Sequence, residues 1–331
     1  MTFAILIILM DLVFDFYNGM NDAANSIATV VSTRVLTPTQ AVLWAAFFNF
    51  TAAFVFGVSV ANTIGKGIIE PSVVDNSVIF SALVGAIITS ATATHLGYPI
   101  SISHAIIGGL SGAAITKAGI SSLISAGFIK VVIFIFVAPL LGFVISIFFS
   151  IITLWIVKDS QPRKVDTLFR ELQLISAGLY SLSHGTNDAQ KTMGIISIVL
   201  FTNGFLDHFH VPFWVVILSH TVIALGTMIG GWKVIKTLGM RMTKLSPFSG
   251  FSAETSAGLT IIMASIFGIP VSTTHTITGA ITGAGIIKGI GGVKWQVAKN
   301  ILWAWILTIP LSSFFSFITF SVLRLIEVYL K

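Results

Sequence analysis

Two stretches set carboxylates and amides among apolar residues: "NGMNDAANSIA" at 18–28 and "SHGTNDAQKTMGI" at 183–195. A carboxylate in hydrocarbon costs on the order of 3 kcal/mol or more, so Asp22 and Asp188 each require a cation, a partner or a proton. Their neighbours are rich in oxygen: Asn18, Asn21, Asn25 and Ser26 in the first stretch, Thr186, Asn187, Gln190 and Thr192 in the second. Such a set suits Na⁺, and the same carboxylates could instead take H⁺. Asp188 also has a competing partner, because Lys191 follows three residues later. A second pair of stretches, "GYPISISHAIIGGLSGA" at 97–113 and "GIPVSTTHTITGAITGA" at 268–284, carries chemistry for an anion. In each, a Pro suited to a first helical turn precedes hydroxyls, at Ser101 and Ser103 and at Ser272, Thr273 and Thr274. Free N–H groups at a helix start, hydroxyl donors and the positive end of the helix dipole make an uncharged anion cradle. For His104 and His275 a buried, hydrogen-bonded structural role is the plainer reading.

Charge arithmetic joins the two motifs. A divalent oxyanion needs positive charge in a low-dielectric site, and hydroxyls and amides supply none. Cations at Asp22 and Asp188 would supply it, and each ion would then favour the binding of the other. Phosphate, unlike sulfate, brings a proton that a nearby carboxylate or amide oxygen can accept, which allows the two to be told apart.

These residues need a membrane around them. Hydrophobic residues make up 55% of the 331 and charged residues 9%, far below the roughly 25% of soluble domains, and mean hydropathy is +0.98. The composition predicts an all-α polytopic membrane protein, multi-pass in the cell membrane with the lipid bilayer as its partner. Asp11 and Asp15, with no basic leader, make the first segment a retained helix rather than a signal peptide. There is no cysteine, which excludes disulfides and thiolate metal sites. The net charge of +6 lies in short loops and fits the positive-inside rule rather than a nucleic-acid surface.

Apolar runs fall near 3–33 (interrupted at 18–25), 39–61, 76–96, 97–118 and 122–157, then restart at 172–202 (interrupted at 183–191), 211–231, 247–267, 268–290 and 300–326. The order repeats, and the motifs align in register: Gly19, Asn21, Asp22 and Ala23 with Gly185, Asn187, Asp188 and Ala189. This predicts a duplicated chain, 1–157 and 172–331, joined by a polar linker at 158–171. Loop 232–246 carries Lys233, Lys236, Arg241 and Lys244 without an acid, while its counterpart at 62–75 sets Lys66 against Glu70 and Asp75. Those loops are expected on opposite sides, so the repeats are inverted, with 158–171 and 232–246 cytoplasmic and the N-terminus outside. The Gly-rich segments are either spans or re-entrant hairpins. Glu254 either pairs with a loop base or joins the ion route, and Asn49 and His220 bond between helices.

A membrane enzyme built on His104, His275 and the two Asp is the alternative from another class. It would need an asymmetric constellation, whereas these groups come as symmetric copies. The reading calls for a transporter without a cofactor, its ions being cargo.

The chain resembles the inorganic phosphate transporter (PiT) family, whose paired signatures look like "NGMNDAANSIATVVSTRVLTP" and "SHGTNDAQKTMGI" here; the run at 224–285 and "SVANTIGKGI" at 59–68 look like its bacterial branch. The resemblance covers both halves. It implies a Na⁺- or H⁺-coupled phosphate symporter working by alternating access, with inverted repeats, re-entrant hairpins beginning near the two Pro-Ser-His motifs, and dimeric assembly. Carried over by motif position, it implies Asn21, Asp22, Asn25, Asn187 and Asp188 as ion-site residues, with Asp22 and Asp188 as the metal ligands if sodium couples. It implies Ser101, Ser103, Ser272, Thr273 and Thr274 as anion-site residues. The chain departs from the family in "PISISH", where Ile100 and Ile102 thin the first cradle, so sulfate or another tetrahedral oxyanion is the alternative cargo.

Overall fold

The structure is a computed structural model that describes residues 2–55, 57–66, 68–287 and 289–329, without the side chains of residues 65 and 66. Among the described residues it is helical, with two isolated antiparallel bridges and no strand. The helices are α1 (Thr2–Ser32), α2 (Pro38–Thr51), α3 (Ser59–Lys66), α4 (Asn76–Leu96), α5 (Ile102–Ala118), α6 (Ser125–Val157), α7 (Pro162–Thr202), α8 (Phe213–Ile229), α9 (Trp232–Lys236), α10 (Pro247–Ile266), α11 (Thr273–Ile286) and α12 (Trp295–Tyr329). Of these, α1, α4, α6 and α12 are long and apolar enough to cross a membrane, and α8 with the segment Trp232–Arg241 makes a fifth candidate bent by 64°. The remaining helices are shorter or more polar because protein, rather than lipid, covers their polar faces.

At the centre α1 and α7 cross antiparallel. Thr33 donates to Gln173 (2.8 Å), Asp22 meets His184 and Asp188, and Asp15 lies opposite Thr192, so α7 retreats as α1 advances. Around this pair the contacts come in matched sets. α1 packs on α8 as α7 packs on α2; α3 lies on α7 as α9 lies on α1. α5 packs on α12 and α11 on α6, so each return helix lies on a long helix from the other half of the sequence. The bridges match as well, Ile69 with Leu123 and Thr243 with Val293.

α4–α5 and α10–α11 are helical hairpins whose two legs start and finish at one side. Gly97 (φ 84°) ends α4 in the left-handed region and Gly268 (φ 63°) does the same after α10, conformations that other residues take only at a cost. The open end of the first hairpin is closed by Asp75, which caps α4 at the Val78 N–H (2.8 Å) and pairs with Lys117 (2.5 Å). The Gly-rich segments at 97–118 and 268–290 are therefore hairpin return legs. The breaks expected at 18–25 and 183–191 do not occur, since α1 and α7 run through both clusters. Gly185 serves packing instead: a Cβ there would come 2.7 Å from the Asn49 carbonyl oxygen of α2. The helices break elsewhere, at 52–55 and 57–58, at 230–231 and at the hairpin tips. The loop expected at 232–246 holds α9 and a π-helical turn, Thr237–Arg241, and of the linker 158–171 the residues from Pro162 onward begin α7.

Candidate functional site

The two polar clusters face each other where α1 crosses α7, and both hairpin tips end there. Asp22 and Asp188, distant in sequence, sit side by side with His184 between them: its Nε2 lies 3.5 Å from Asp22 Oδ2 and 3.2 Å from Asp188 Oδ2. Nδ1 of the same ring faces Asn49 Oδ1 at 3.2 Å, and Asn49 in turn donates to Thr227 (2.9 Å), which fixes the ring. Ligand atoms of Asp22, His184 and Asp188 all lie within 4.8 Å of one another, a spacing that one cation could share. Lys191 donates to Asp188 Oδ1, so the pairing read as a competitor in the sequence is present within the site. Every one of these side chains is buried.

The tip of the second hairpin reaches straight into this cluster. The Thr273 hydroxyl lies 3.0 Å from Asp22 Oδ2 and 3.2 Å from Asp188 Oδ2, and its single proton can serve only one of them at a time. Thr274 Oγ1 lies 3.1 Å from Asp22 Oδ1 and receives the Asn25 Nδ2 proton at 2.9 Å. The tips also hold each other, with Thr274 donating to the Ile100 carbonyl (3.0 Å) and Ser103 to the Val271 carbonyl (3.2 Å). Ser101 and Ser272 cap the return legs by accepting the His104 and His275 N–H groups, each at 3.2 Å. An α-helix leaves its first N–H groups without an internal partner, so two such starts converge beside the carboxylates.

Asn21 and Asn187 hold the outgoing legs. Asn21 donates to Thr94 (2.8 Å) and Asn187 to Ser265 (2.9 Å), equivalent positions in the two copies. In Asn21, Asn25 and Asn187 alike the amide nitrogen is spent on a hydroxyl while Oδ1 stays buried without a protein hydrogen bond. Three buried amide oxygens without a protein partner thus lie on the same two helices as the two carboxylates.

All ten residues singled out from the motifs lie within this assembly, but not as two separate sites. The structure brings the two carboxylates, Asp22 and Asp188, into one cluster, and of the two hairpin tips the second sets hydroxyls against them. His184 was not singled out in the sequence: it lies inside "SHGTND", but its counterpart is Asn18, so a search for matching residues passes over it. Glu254 has no basic partner of the kind expected; it accepts from Gln173 Nε2 (3.0 Å) and from the Ser176 hydroxyl. His220 bonds the Val216 carbonyl of its own helix (2.9 Å) rather than a neighbouring one. His104 and His275 are buried against each other behind the tips, with His275 stacked on Trp305. An apolar groove of about 590 Å³ lies between α4 and α12, and neither Asp22 nor Asp188 lines it.

Known proteins share both sequence and fold. The profile described as "Phosphate transporter family" matches residues 18–316. A Rhizobium meliloti protein named "Probable low-affinity inorganic phosphate transporter" is 51% identical over 94% of this chain and 93% of its own. A Bacillus subtilis protein of the same name is 43% identical over 97% of each chain. A solved structure titled "The sodium-dependent phosphate transporter" superposes with a TM-score of 0.88 at 30% identity, covering 98% of this chain and 100% of that one. These relatives are transporters and not enzymes, and with its membrane-spanning helices this multi-pass plasma-membrane protein belongs to the phosphate transporter family.

Proposed function

We propose that the protein carries inorganic phosphate across the membrane together with sodium, by alternating access between two inverted repeats. The observation that carries this reading is the meeting of Asp22 and Asp188 with Thr273, Thr274 and two helix starts in one buried cluster. The carboxylates and the amide oxygens of Asn21, Asn25 and Asn187 are the cation donors. The N–H groups at the starts of α5 and α11, with the hydroxyls of Ser101, Ser103, Ser272, Thr273 and Thr274, are the anion donors.

Coupling follows from charge. The anion donors carry no net positive charge, and the carboxylates repel an oxyanion until a cation neutralises them. Binding of either ion therefore lowers the electrostatic cost of the other. Thr273 links the two chemistries: when a cation takes over the carboxylate oxygens, its hydroxyl proton is released to point at a phosphate oxygen. A protonated phosphate oxygen in turn has carbonyl-type acceptors within the site, which sulfate could not use.

The antiparallel crossing of α1 and α7, equivalent helices of the two copies, supports the inverted relation, and the matched hairpins support a rocking exchange about the centre. Burial of the cluster suits a state closed to both sides. The sodium-dependent phosphate transporter of the same fold supports sodium as the coupling ion.

The test is labelled phosphate uptake into liposomes under an imposed sodium gradient or an imposed pH gradient, with sulfate as competitor. The sodium gradient is expected to drive uptake and sulfate to compete poorly. Uptake driven by the pH gradient alone would overturn sodium coupling, and equal competition by sulfate would overturn the substrate assignment.

A further inference from the structure

The two copies of the central motif differ at a position that faces the site. Asn25 follows Asp22 by three residues, and Lys191 follows Asp188 by three. In the first copy, Asn25 spends its Nδ2 on Thr274 and leaves Oδ1 buried without a protein hydrogen bond; Asn21 does the same with Thr94. The first copy thus offers oxygen alone: the Asp22 carboxylate and two amide oxygens, the donor set of a hard cation.

The second copy offers the Asp188 carboxylate and the free Oδ1 of Asn187, but an ammonium stands where the second amide oxygen should be. Lys191 is fully buried and bonded to Asp188 Oδ1. Its nitrogen has donors only, so it cannot ligate a metal ion. A mobile cation brought to Asp188 would meet a fixed positive charge already on that carboxylate. Its counterpart in the repeat, Asn25, is an amide and carries no charge.

We propose that Lys191 is a tethered cation: its ammonium fills the second-copy ion position, so that one sodium, at Asp22, travels with each phosphate where a fully symmetric motif would carry two. This rests on the sodium-coupled reading above and refines it to a coupling number. A merely structural Lys191–Asp188 pair would hold helix α7 together without setting how many ions travel.

Sodium and phosphate fluxes are to be measured together in liposomes, with the sodium dependence of uptake, for the native chain and for Lys191→Asn, which restores the residue of the first copy. The native protein is expected to move one sodium per phosphate with a hyperbolic sodium dependence. Lys191→Asn is expected to move two, with a sigmoidal dependence whose Hill coefficient rises towards about 2. Two sodium ions per phosphate in the native protein would overturn the proposal, as would an active Lys191→Asn variant that still moves one. If Lys191→Asn fails to insert, the native ratio still decides between one and two, and Lys191→Gln gives a second neutral variant. Native uptake without any sodium dependence would remove the sodium-coupled reading and this proposal with it, a result distinct from a ratio of two.

Discussion

The two hairpin tips share a backbone and differ in what they touch. Each return leg starts with a capping serine, Ser101 or Ser272, and each tip lends a hydroxyl to a carbonyl of the other, Ser103 to Val271 and Thr274 to Ile100. Beyond that the likeness stops. Thr273 stands between Asp22 and Asp188, while its counterpart Ile102 is packed in the apolar core with Ile100, Ile106 and Ile107. The polar motifs diverge in the same way, with His184 and Lys191 in the second copy against Asn18 and Asn25 in the first. The hydrogen bonds that hold the frame are shared by the two tips, and the differences lie around the two carboxylates. On the proposed function, the first copy holds the mobile cation, and the second copy controls charge and supplies the hydroxyl contacts.

The largest effect is expected at the first copy's carboxylate. Asp22→Asn removes the charge that a mobile cation would neutralise, and sodium-driven uptake should fall at least about a hundredfold while the protein still inserts and resists detergent unfolding as the native does. Near-native uptake would break the assignment of the first copy as the cation side. Next comes the contrast between the tips. Thr273→Val deletes a hydrogen bond to a charged group, a loss of about 1.5–3 kcal/mol, and should weaken apparent phosphate affinity by roughly tenfold or more in the uptake assay. Ile102→Val, a change within the core, should shift the same constant by no more than about twofold. Equal effects would say that the tips are equivalent. The smallest effects test the shared frame: Ser101→Ala and Ser272→Ala each lose a helix cap worth about 1 kcal/mol and should lower thermal stability in detergent by similar amounts. A clear inequality would show that the two caps do not hold the frame equally.

Much of this frame was legible in the sequence because it is written in repeated residues. The duplicated Asn-Asp and Pro-Ser-His motifs marked the central residues, and the membrane environment followed from the scarcity of charge. Helix continuity was not legible. Gly19 and Gly185 beside polar clusters read as breakers, whereas the close approach of α8 and α2 uses the missing side chains and the polar groups bond across helices. Nor can a sequence repeat say that its copies meet. The meeting of Asp22 with Asp188 depends on α1 and α7 crossing antiparallel, a tertiary fact with no local signature. His184 stayed hidden for a related reason, since its role comes from facing both carboxylates, and its counterpart Asn18 bears no resemblance to it.

Reciprocal binding is the most direct test of the central claim. Equilibrium binding of labelled phosphate to the purified protein should tighten as sodium is raised, and sodium binding should tighten by the same factor as phosphate is raised, with both effects lost in Asp22→Asn. Phosphate binding that is indifferent to sodium in the native protein would contradict the account.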